Sequence, residues 1–403
     1  MISPAEAEKR ILEAMPEWPR EDCPLAQAHG RVLRGEIKAD RDLPPYDRAT
    51  LDGYAFRASA IEAGIRVFRV EATQAAGVPG VALGPEPDAC VEIMTGAVMP
   101  KGADCVAGYE DAMRDGEKMK IAGSPAELGA GNAVHRRGSD HRAGEVIVGG
   151  GVRLTGREIA VAAACGCAVV SVSRRPRIAV VTTGDELVDV EVAPAPHQIR
   201  RSNEYALRAA LAGGGYPEIA LNTWRDDPAE IAQGLSRVLS GHEVIILSGG
   251  VSKGKFDHLP DQLEKQGVRN VFHGVAQRPG KPLWFGIGPG GVPVFALPGN
   301  PVSSYICLHR YVLPALDRAS GLVSPPRRIA ALASPVSASR KHACFLPVRA
   351  SSGPRAELSA APAPGNTSGD FAGLVGTDGF VELPASKDDF PAGTLAPFHP
   401  WTA

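Results

Sequence analysis

The spacing of hydrophobic and polar positions changes along the chain and predicts regions of different structure. At the N-terminus, Ser3-Pro4-Ala5-Glu6 combines a capping box with a proline at the first helical position, which predicts a helix running to about Met15. Residues 25–34 suggest a second, shorter helix. From residue 67 to residue 152 the apolar runs are short and separated by Gly, Pro or acidic turns, so a β-rich insertion is predicted there.

A different pattern begins at residue 177, where β-branched runs alternate with helical segments. Strands alternating with helices are typical of a parallel α/β sheet. The last helix of the series begins after Pro301 and is expected to end near Ala319. After a linker at residues 323–328, short strands with Pro and Gly turns predict a small β-barrel or sandwich. The predicted strands of the α/β sheet are residues 178–181, 218–223, 244–247, 285–286 and 294–297.

These patterns predict a multidomain α/β plus β protein with a central parallel α/β sheet, an N-terminal mixed region carrying the β-rich insertion, and a C-terminal β-barrel. At roughly 100–200 residues per domain, 403 residues correspond to about two to four domains. We expect an N-terminal α+β domain at 1–45 and 135–175, an inserted β-rich domain at 46–134, an α/β domain at 176–322, and a C-terminal β-barrel domain at 323–403.

Composition and charge narrow the class of protein. Lys plus Arg total 43 against 45 Asp plus Glu, and a net charge of −2 argues against a generic nucleic-acid binder. The longest apolar run, residues 159–170, is shorter than the ~20 residues that span a bilayer, and the N-terminus does not resemble a signal peptide. The seven cysteines are scattered, and the one close pair, Cys165 and Cys167, fits small core residues better than a redox or metal pair. We therefore expect a cytoplasmic protein with reduced thiols and no membrane partner.

Three predicted strands of the α/β region end in loops of small residues. Glycines in such loops let backbone amides approach phosphate oxygens, and the helix after Pro301 adds the positive end of its dipole. A single glycine turn after a strand is routine. Three such glycine turns at the carboxyl edge of one sheet, where ligands bind, predict a site for a phosphorylated ligand. The loops are Thr182-Thr183-Gly184, Ser248-Gly249-Gly250 and Pro298-Gly299-Asn300.

Carboxylates follow the same strands. Glu186 comes after the first loop, Asp226 after another strand, and Asp257 after the second glycine loop. Carboxylates beside phosphate-binding amides would repel a polyanion unless Mg²⁺ bridges them, because Mg²⁺ accepts carboxylate, water and phosphate oxygens. The neighbouring Asp227 has a simpler explanation as a helix N-cap, whereas Glu186 and Asp226 have no such local role.

A basic segment, Arg278-Pro279-Gly280-Lys281-Pro282, completes the set. Its prolines restrict where the two cations can point, so it is a candidate anion anchor, although a solvated basic turn is the alternative. Further polar groups have no role that the residues alone assign. They are Asp52, Thr95 and Asp140 in turn-like sequences, and Arg340-Lys341-His342 and Thr367-Ser368-Gly369-Asp370 in the last domain.

Seven stretches in this order resemble the molybdopterin molybdenumtransferases of the bacterial MoeA type, which are related to the gephyrin E domain. No single stretch is decisive, but seven in family order covering the chain end to end are highly specific. They are LPPYDRATLDGYA (43–55), IMTGAVMPKGAD (93–104), RRGSDHRAGE (136–145), VVTTGDEL (180–187), ILSGGVSKGKFD (246–257), RPGKP (278–282) and LPGNPVS (297–303).

The resemblance implies a transferase that acts on adenylylated molybdopterin and molybdate and yields molybdenum cofactor and AMP, with Mg²⁺ on the phosphoanhydride. It implies an α/β domain of the molybdopterin-binding type and a homodimer of four-domain subunits whose active cleft forms between subunits. The implied partners are the molybdopterin adenylyltransferase and molybdoenzyme maturation proteins. The dithiolene sulfurs that bind molybdenum belong to the pterin, so the resemblance requires no protein cysteine.

The functional positions of the family map onto residues spread over the whole chain. Those expected to be catalytic are Asp52, Thr95, Asp140, Glu186, Asp226, Asp257 and Lys281, of which Glu186, Asp226 and Asp257 would hold the metal. Together with the loops and basic residues above, the expected substrate-binding residues are Thr183, Gly184, Ser248, Gly249, Gly250, Arg278, Pro298, Gly299, Asn300, Pro301, Arg340 and Ser368. Molybdate, a tetrahedral oxyanion, would need donors such as Lys281, Arg340 and Ser368.

The chain departs from the family pattern in the basic segment. The family usually has Lys where Arg278 stands, and some members carry a further Lys where this chain has Gly274. Two other functions share part of the pattern. Molybdopterin adenylyltransferases have the α/β domain but lack the 43–55 stretch and the C-terminal β domain. A non-catalytic scaffold of the gephyrin type could lose its carboxylates, which this chain retains.

Overall fold

The computed structural model describes residues 1–251, 258–338, 341–353, 357–363, 367–385 and 387–401. Asp257 and Arg340, both assigned to the site above, lie outside these residues. The chain forms two compact units. The smaller unit comprises residues 35–149 and 156–170, and the larger unit comprises residues 1–34, 150–155 and those from 171 onwards. The finer domain boundaries given above stay a prediction.

The smaller unit is built on a six-stranded sheet in which only Val67–Gln74 and Ala89–Ile93 are parallel neighbours. Apolar side chains on the sheet, including Tyr54, Phe56 and Phe68, pack into its core. The predicted β-rich insertion is present, with one short helix in it. In spatial order the strands are Cys105–Gly108, Gly53–Phe56, Ala89–Ile93, Val67–Gln74, Lys118–Ile121 and Ala112–Asp115.

Short elements complete the smaller unit. Two antiparallel strand pairs join Arg48–Ala49 to Val134–His135 and Ile37–Lys38 to Val146–Val148. The helices are Ala58–Glu62 and Gly156–Ala164, with single 3₁₀ turns at Tyr109–Asp111 and Pro125–Glu127. In the first of these strand pairs, the register places His135 directly opposite Arg48.

The larger unit contains the predicted α/β sheet. Every residue of Ile178–Thr183, Val244–Ser248 and Pro293–Leu297 is buried, which explains their continuous apolar runs. These three strands and Ile219–Trp224 are parallel. The helices of this region are Asn203–Gly213, Pro228–Gly241, Leu259–Lys265 and Pro301–Cys307, the last continuing through a π turn at Leu308–Val312 into Leu313–Ala319.

One side of this sheet differs from the all-parallel expectation. Trp284–Ile287 and Arg269–His273 extend the sheet as antiparallel strands. Only residues 288–292 separate Trp284–Ile287 from Pro293–Leu297, and a parallel connection needs a crossover of a dozen or more residues. The central parallel α/β class is confirmed, and its far side is antiparallel because this connection is too short.

Of the two architectures expected for the C-terminal region, the structure forms the barrel. Five strands pair in a closed ring, so that none of the five leaves an open edge. The short strand Gln277–Arg278 pairs in parallel with Ala343–Ser352 and attaches the basic segment to the barrel. In ring order the barrel strands are Ala343–Ser352, Leu358–Pro362, Arg328–Leu332, Leu395–Pro400 and Gly379–Leu383. Val336–Ser337 and Asp389–Phe390 form a separate pair.

The N-terminal prediction is half right. Pro4–Ala14 is a helix, and Ser3 Oγ accepts a hydrogen bond from the Glu6 amide at 3.2 Å. The helix expected at residues 25–34 is wrong, because only the 3₁₀ turn Leu25–Gln27 forms there. Val32 and Leu33 then bridge to Arg153 and Val172, distant partners that local sequence does not reveal. The remaining short strands are Arg20–Pro24, Val169–Ser173, Leu187–Val188 and Ile199–Arg200.

The seven cysteines are free thiols, and Cys165 is buried while Cys167 is partly exposed. Burial raises the pKa of several of these thiols, to about 12 at Cys307, so they are protonated. Within the described ranges, none of the helices combines the length and apolar character that crossing a membrane requires.

Arg310 ties three parts of the larger unit together. Its guanidinium, 3% exposed, pairs with Glu382 of the barrel at 2.8 Å and with Glu8 of the N-terminal helix at 3.0 Å. Burial acts to raise the pKa of Glu382, but the contact with His399 at 3.3 Å and the charge of Arg310 lower it to about 2. The Glu382 carboxylate is therefore ionised and depends on the guanidinium of Arg310.

Replacing Arg310 with Met should lower the free energy of unfolding by about 3–5 kcal/mol at neutral pH, because the largely buried Glu382 carboxylate would then lose its guanidinium partner. Denaturant-induced unfolding measures the loss. Arg327→Met is the matched control, since Arg327 also binds Glu8, at 2.9 Å, but is 65% exposed. It should cost no more than about 1 kcal/mol. Equal losses in the two variants would contradict the role assigned to the buried guanidinium.

Candidate active site

A cavity of about 720 Å³ lies at the carboxyl edge of the α/β sheet. Parallel pairing aligns Thr182 with Ser248 and Ser248 with Leu297, so the three strands end level with one another. The loops that follow therefore meet at this edge, as predicted. The cavity is lined by ten of the residues predicted above, namely Thr183, Glu186, Asp226, Ser248, Gly249, Gly250, Pro298, Gly299, Asn300 and Pro301. Gly184 lies in the first loop, beside Thr183.

The glycines of the second loop are required by packing between loops. Gly249 has φ +107°, and a Cβ there would lie 2.7 Å from the carbonyl oxygen of Thr183. Gly250 has φ +65°, and its Cβ would lie 3.1 Å from Thr183 Oγ1. Both positions combine left-handed backbone with close approach, which favours glycine. The first and second loops can touch only because these side chains are absent.

Asn203 is a cavity residue that sequence reasoning missed. Its Nδ2 donates to the Gly299 carbonyl at 2.8 Å and to Ser248 Oγ at 3.0 Å, so it joins the second and third loops. A carbonyl oxygen only accepts, and this fixes the orientation of the amide. The sequence offers only a weak indication of this role, because Asn203 is simply the first residue of the helix that follows Ser202.

Two buried polar atoms at the cavity lack a partner among the described residues. They are Asn203 Oδ1 and Thr183 Oγ1, and both residues line the cavity. Buried polar groups in folded proteins are nearly always hydrogen-bonded, so each needs an explanation. A ligand that offers a hydrogen-bond donor to Asn203 and a polar atom to Thr183 would satisfy both.

The acidic side of the cavity holds Glu186, which is exposed, and Asp226, which is half-buried. Asp227 is a helix cap, since its Oδ1 accepts from the amides of Ala229 and Glu230 at 3.0 and 2.8 Å. No group of three or more His, Cys, Asp and Glu side chains that could hold a metal occurs in the part of the chain that the structure describes. Mg²⁺ commonly uses only one or two carboxylates plus water and substrate phosphate, so Glu186 and Asp226 fit that ion.

Two arginines beside the cavity were also missed. Arg201 is engaged by Asp189 at 2.6 Å and by the buried Glu204 at 3.1 Å. Arg200 lines the cavity, is exposed and has no side-chain partner within the described ranges. Arg200 can therefore face an anionic ligand, whereas Arg201 stabilises the loop.

A second pocket of about 460 Å³ contains the basic segment. Arg278, Lys281 and Ser368 line it, and it shares Pro282, Pro298 and Asn300 with the first cavity. Asn300 Nδ2 donates to Ser368 Oγ at 2.9 Å, which joins the third loop to the last domain. The structure therefore brings Arg278, Lys281 and Ser368 together in one pocket.

His342 contributes a neutral ring near these cations. It is 8% exposed, and neither ring nitrogen has a hydrogen-bond partner among the described residues. Burial lowers the pKa of His342, and the positive charges of Arg278 and Lys281 act in the same direction.

The remaining predicted residues lie in the smaller unit. Asp52 Oδ1 accepts from the Thr95 amide at 2.6 Å and from Thr95 Oγ1 at 2.8 Å. The hydrogen bond from the Thr95 amide lowers the pKa of Asp52 most, and the one from the Thr95 hydroxyl lowers it further. Both keep the carboxylate ionised. Asp140 bonds instead to His135, at 2.8 Å, and this bond lowers the pKa of Asp140. All three predicted side chains are exposed.

Comparison with known proteins covers the whole chain. Residues 2–166 match the MoeA N-terminal region (domain I and II), residues 179–318 a probable molybdopterin binding domain, and residues 330–401 the MoeA C-terminal region (domain IV). A molybdopterin molybdenumtransferase of Synechocystis is 40% identical over 100% of both chains. Molybdopterin molybdenumtransferase 2 of Mycobacterium tuberculosis is 33% identical over 84% of this chain and 85% of its own.

A solved structure supports the same relationship. The molybdopterin biosynthesis MoeA protein of Pyrococcus horikoshii superposes with a TM-score of 0.79 at 29% identity and full coverage of both chains. The resemblance predicted from the seven sequence stretches is confirmed, and the chain belongs to the MoeA-type molybdopterin molybdenumtransferase family.

Proposed function

We propose that this protein inserts molybdenum from molybdate into adenylylated molybdopterin and releases AMP. The observation that carries the proposal is the pair of adjoining pockets in the larger unit. One is built from strand-end loops suited to phosphate, and the other is built around Arg278 and Lys281. They share Pro282, Pro298 and Asn300, so ligands in the two pockets would be neighbours.

The first cavity is suited to the adenylylated pterin. Glycine-bearing loops at strand ends line it, and Arg200 adds a positive charge for phosphate. Asn203 Oδ1 is an acceptor without a donor, which suits an N–H group of a heterocycle. Binding the ligand by both its phosphates and its ring would orient the phosphoanhydride against the carboxylate side.

The second pocket is suited to molybdate. Arg278 and Lys281 supply positive charge, Ser368 supplies a hydroxyl, and His342 is a neutral ring beside them. Charge-assisted hydrogen bonds from such donors are the strong ones for an oxyanion. Arg340, expected to contribute as well, lies outside the described residues.

Mg²⁺ would be held by Glu186 and Asp226, with Asp257 as the third expected carboxylate. When bound, the ion neutralises phosphate oxygens and stabilises the charge that develops as the adenylate leaves. The protein carboxylates would position that charge at one end of the cavity while the loops hold the rest of the ligand.

Two alternatives fit less well. An adenylyltransferase needs only the α/β region, whereas the similarity here also covers residues 2–166 and 330–401. A scaffold function does not explain Glu186 and Asp226 at a cavity with unpaired polar atoms. We also propose a cytoplasmic homodimer that works with a molybdopterin adenylyltransferase and with molybdoenzyme maturation proteins, as the family resemblance implies.

The central test is metal-dependent AMP release from adenylylated molybdopterin with molybdate present. Asp226→Asn should lower the rate at least about tenfold at limiting Mg²⁺, because it removes one of the carboxylates that hold the ion. A magnesium titration of AMP release measures this effect. Asp227→Asn is the matched control, since Asn also caps helices and should leave the titration unchanged. A wild-type titration curve for Asp226→Asn would refute the metal assignment.

Lys281→Ala should weaken ligand binding about tenfold to a hundredfold, because charge-assisted hydrogen bonds are worth ~1.5–3 kcal/mol. Arg278→Lys keeps the charge and loses only the planar fork, so its effect should be smaller. Equilibrium binding of molybdopterin and of molybdate should be measured separately for both variants. If Arg278→Lys is the more damaging change for both ligands, the role given to this segment is wrong.

Subunit complementation tests the proposed homodimer. If the active cleft takes residues from both subunits, mixing Asp52→Ala chains with Asp226→Asn chains should restore AMP release to about a quarter of the wild-type value per site. The reason is that half the dimers are mixed and each has one intact cleft. Differently tagged chains allow mixed dimers to be isolated and assayed. Inactive mixed dimers, shown to have formed, would count against a shared cleft.

A further inference from the structure

His135 lies between two charged side chains of the smaller unit, and none of the motifs gives it a role. The antiparallel register places it directly opposite Arg48, so the two side chains leave the same face of the strand pair. Arg48 Nη2 lies 3.2 Å from His135 Nδ1, and His135 Nε2 lies 2.8 Å from Asp140 Oδ1. Within the described ranges these are the charged groups in contact with the imidazole.

The chemistry of the two partners decides where the ring proton lies. A guanidinium has donors only, so Nδ1 must be the acceptor in its contact with Arg48. A neutral imidazole with a bare Nδ1 carries its one proton on Nε2, which then donates to the Asp140 carboxylate. A second proton on Nδ1 would face a donor and a full positive charge, so Arg48 holds the ring in a single form.

We propose that Arg48 and His135 form a relay that positions Asp140 for the reaction. His135 is a positioning residue that fixes the direction of the Asp140 carboxylate, and Arg48 fixes the tautomer of His135. The hydrogen bond with His135 lowers the pKa of Asp140, so the carboxylate stays ionised while its direction is set. This inference rests on the proposed function, since the family resemblance makes Asp140 a catalytic position.

The tautomer can be tested without activity. In protein carrying ¹⁵N-labelled histidine, the His135 signals are those lost in His135→Gln among the ten histidines of the chain. We expect the neutral ring to be the Nε2–H tautomer, with no proton on Nδ1. A neutral ring that carries its proton on Nδ1 would overturn the relay.

Matched variants test the positioning role. Gln can accept from Arg48 through Oε1 and donate to Asp140 through Nε2, whereas Phe keeps the ring shape and does neither. His135→Gln should keep kcat for AMP release within about threefold, and His135→Phe should lower it about tenfold to a hundredfold with KM nearly unchanged. Equal kcat values for the two variants would overturn the proposal.

Arg48→Met tests the lock on the ring. Without the guanidinium no donor faces Nδ1, so the neutral ring can also carry its proton there instead of on Nε2. In Arg48→Met protein labelled with ¹⁵N-histidine we therefore expect part of the His135 population to carry the proton on Nδ1. An Arg48→Met protein whose His135 stays wholly in the Nε2–H form would contradict the role given to Arg48.

His141→Gln is the control for general effects of histidine replacement. His141 is half-buried, follows Asp140 in sequence and pairs with Glu145 at 3.1 Å, so kcat of His141→Gln should match the wild type. If the wild-type protein itself releases no AMP under any condition, the proposed function fails, and the tautomer measurement still decides the relay.

Discussion

Three parallel strands of the α/β sheet end at the same level, and the geometry of the site depends on this alignment. Register pairing puts Thr182, Ser248 and Leu297 side by side, so the loops after them leave the sheet within contact distance. The second loop passes so close to Thr183 that a Cβ at Gly249 would meet its carbonyl oxygen at 2.7 Å. The cavity, its glycines and the bridging role of Asn203 all follow from that one alignment.

A second constraint places the basic residues. Gln277 is fully buried, and its amide group bonds with the Tyr311 hydroxyl and, at 3.2 Å, with the Pro279 carbonyl. Gly280 then passes over Cys307 with φ +96°, where a Cβ would lie 2.6 Å from the sulfur. Arg278 and Lys281 are exposed. Their position is therefore set by the packing beneath the segment as well as by its prolines, and their cationic groups remain available to an anion.

Local signals in the sequence predicted what local physics controls. The buried strands Ile178–Thr183 and Val244–Ser248 are continuous apolar runs, and the caps at Ser3 and Asp227 operate through neighbouring amides. The wrong helix at residues 25–34 and the antiparallel strands had a different cause. Those outcomes depend on pairing with distant residues, as when Leu33 bridges to Val172, or on the length of one connection.

The same distinction separates predicted from missed site residues. The glycine loops and the basic segment are contiguous in sequence, so their composition revealed them. Asn203 acts through Gly299, 96 positions along the chain, and His135 acts through a strand register that aligns it with Arg48. Neither residue type is unusual at its own position. Roles of this kind become visible only when the fold has brought the partners together.

The position of Arg278 and Lys281 in a different pocket from Glu186 and Asp226 has an electrostatic consequence. If Arg278 and Lys281 lined the same cavity as Glu186 and Asp226, opposite charges would pair and each would lose much of its attraction for a ligand. Within the described ranges neither Arg278 nor Lys281 forms an ion pair, and the two pockets have Pro282, Pro298 and Asn300 in common. A cation can then be held at the acidic side while an oxyanion is held at the basic side. In the function proposed above, the residues shared by the two pockets would make their ligands neighbours.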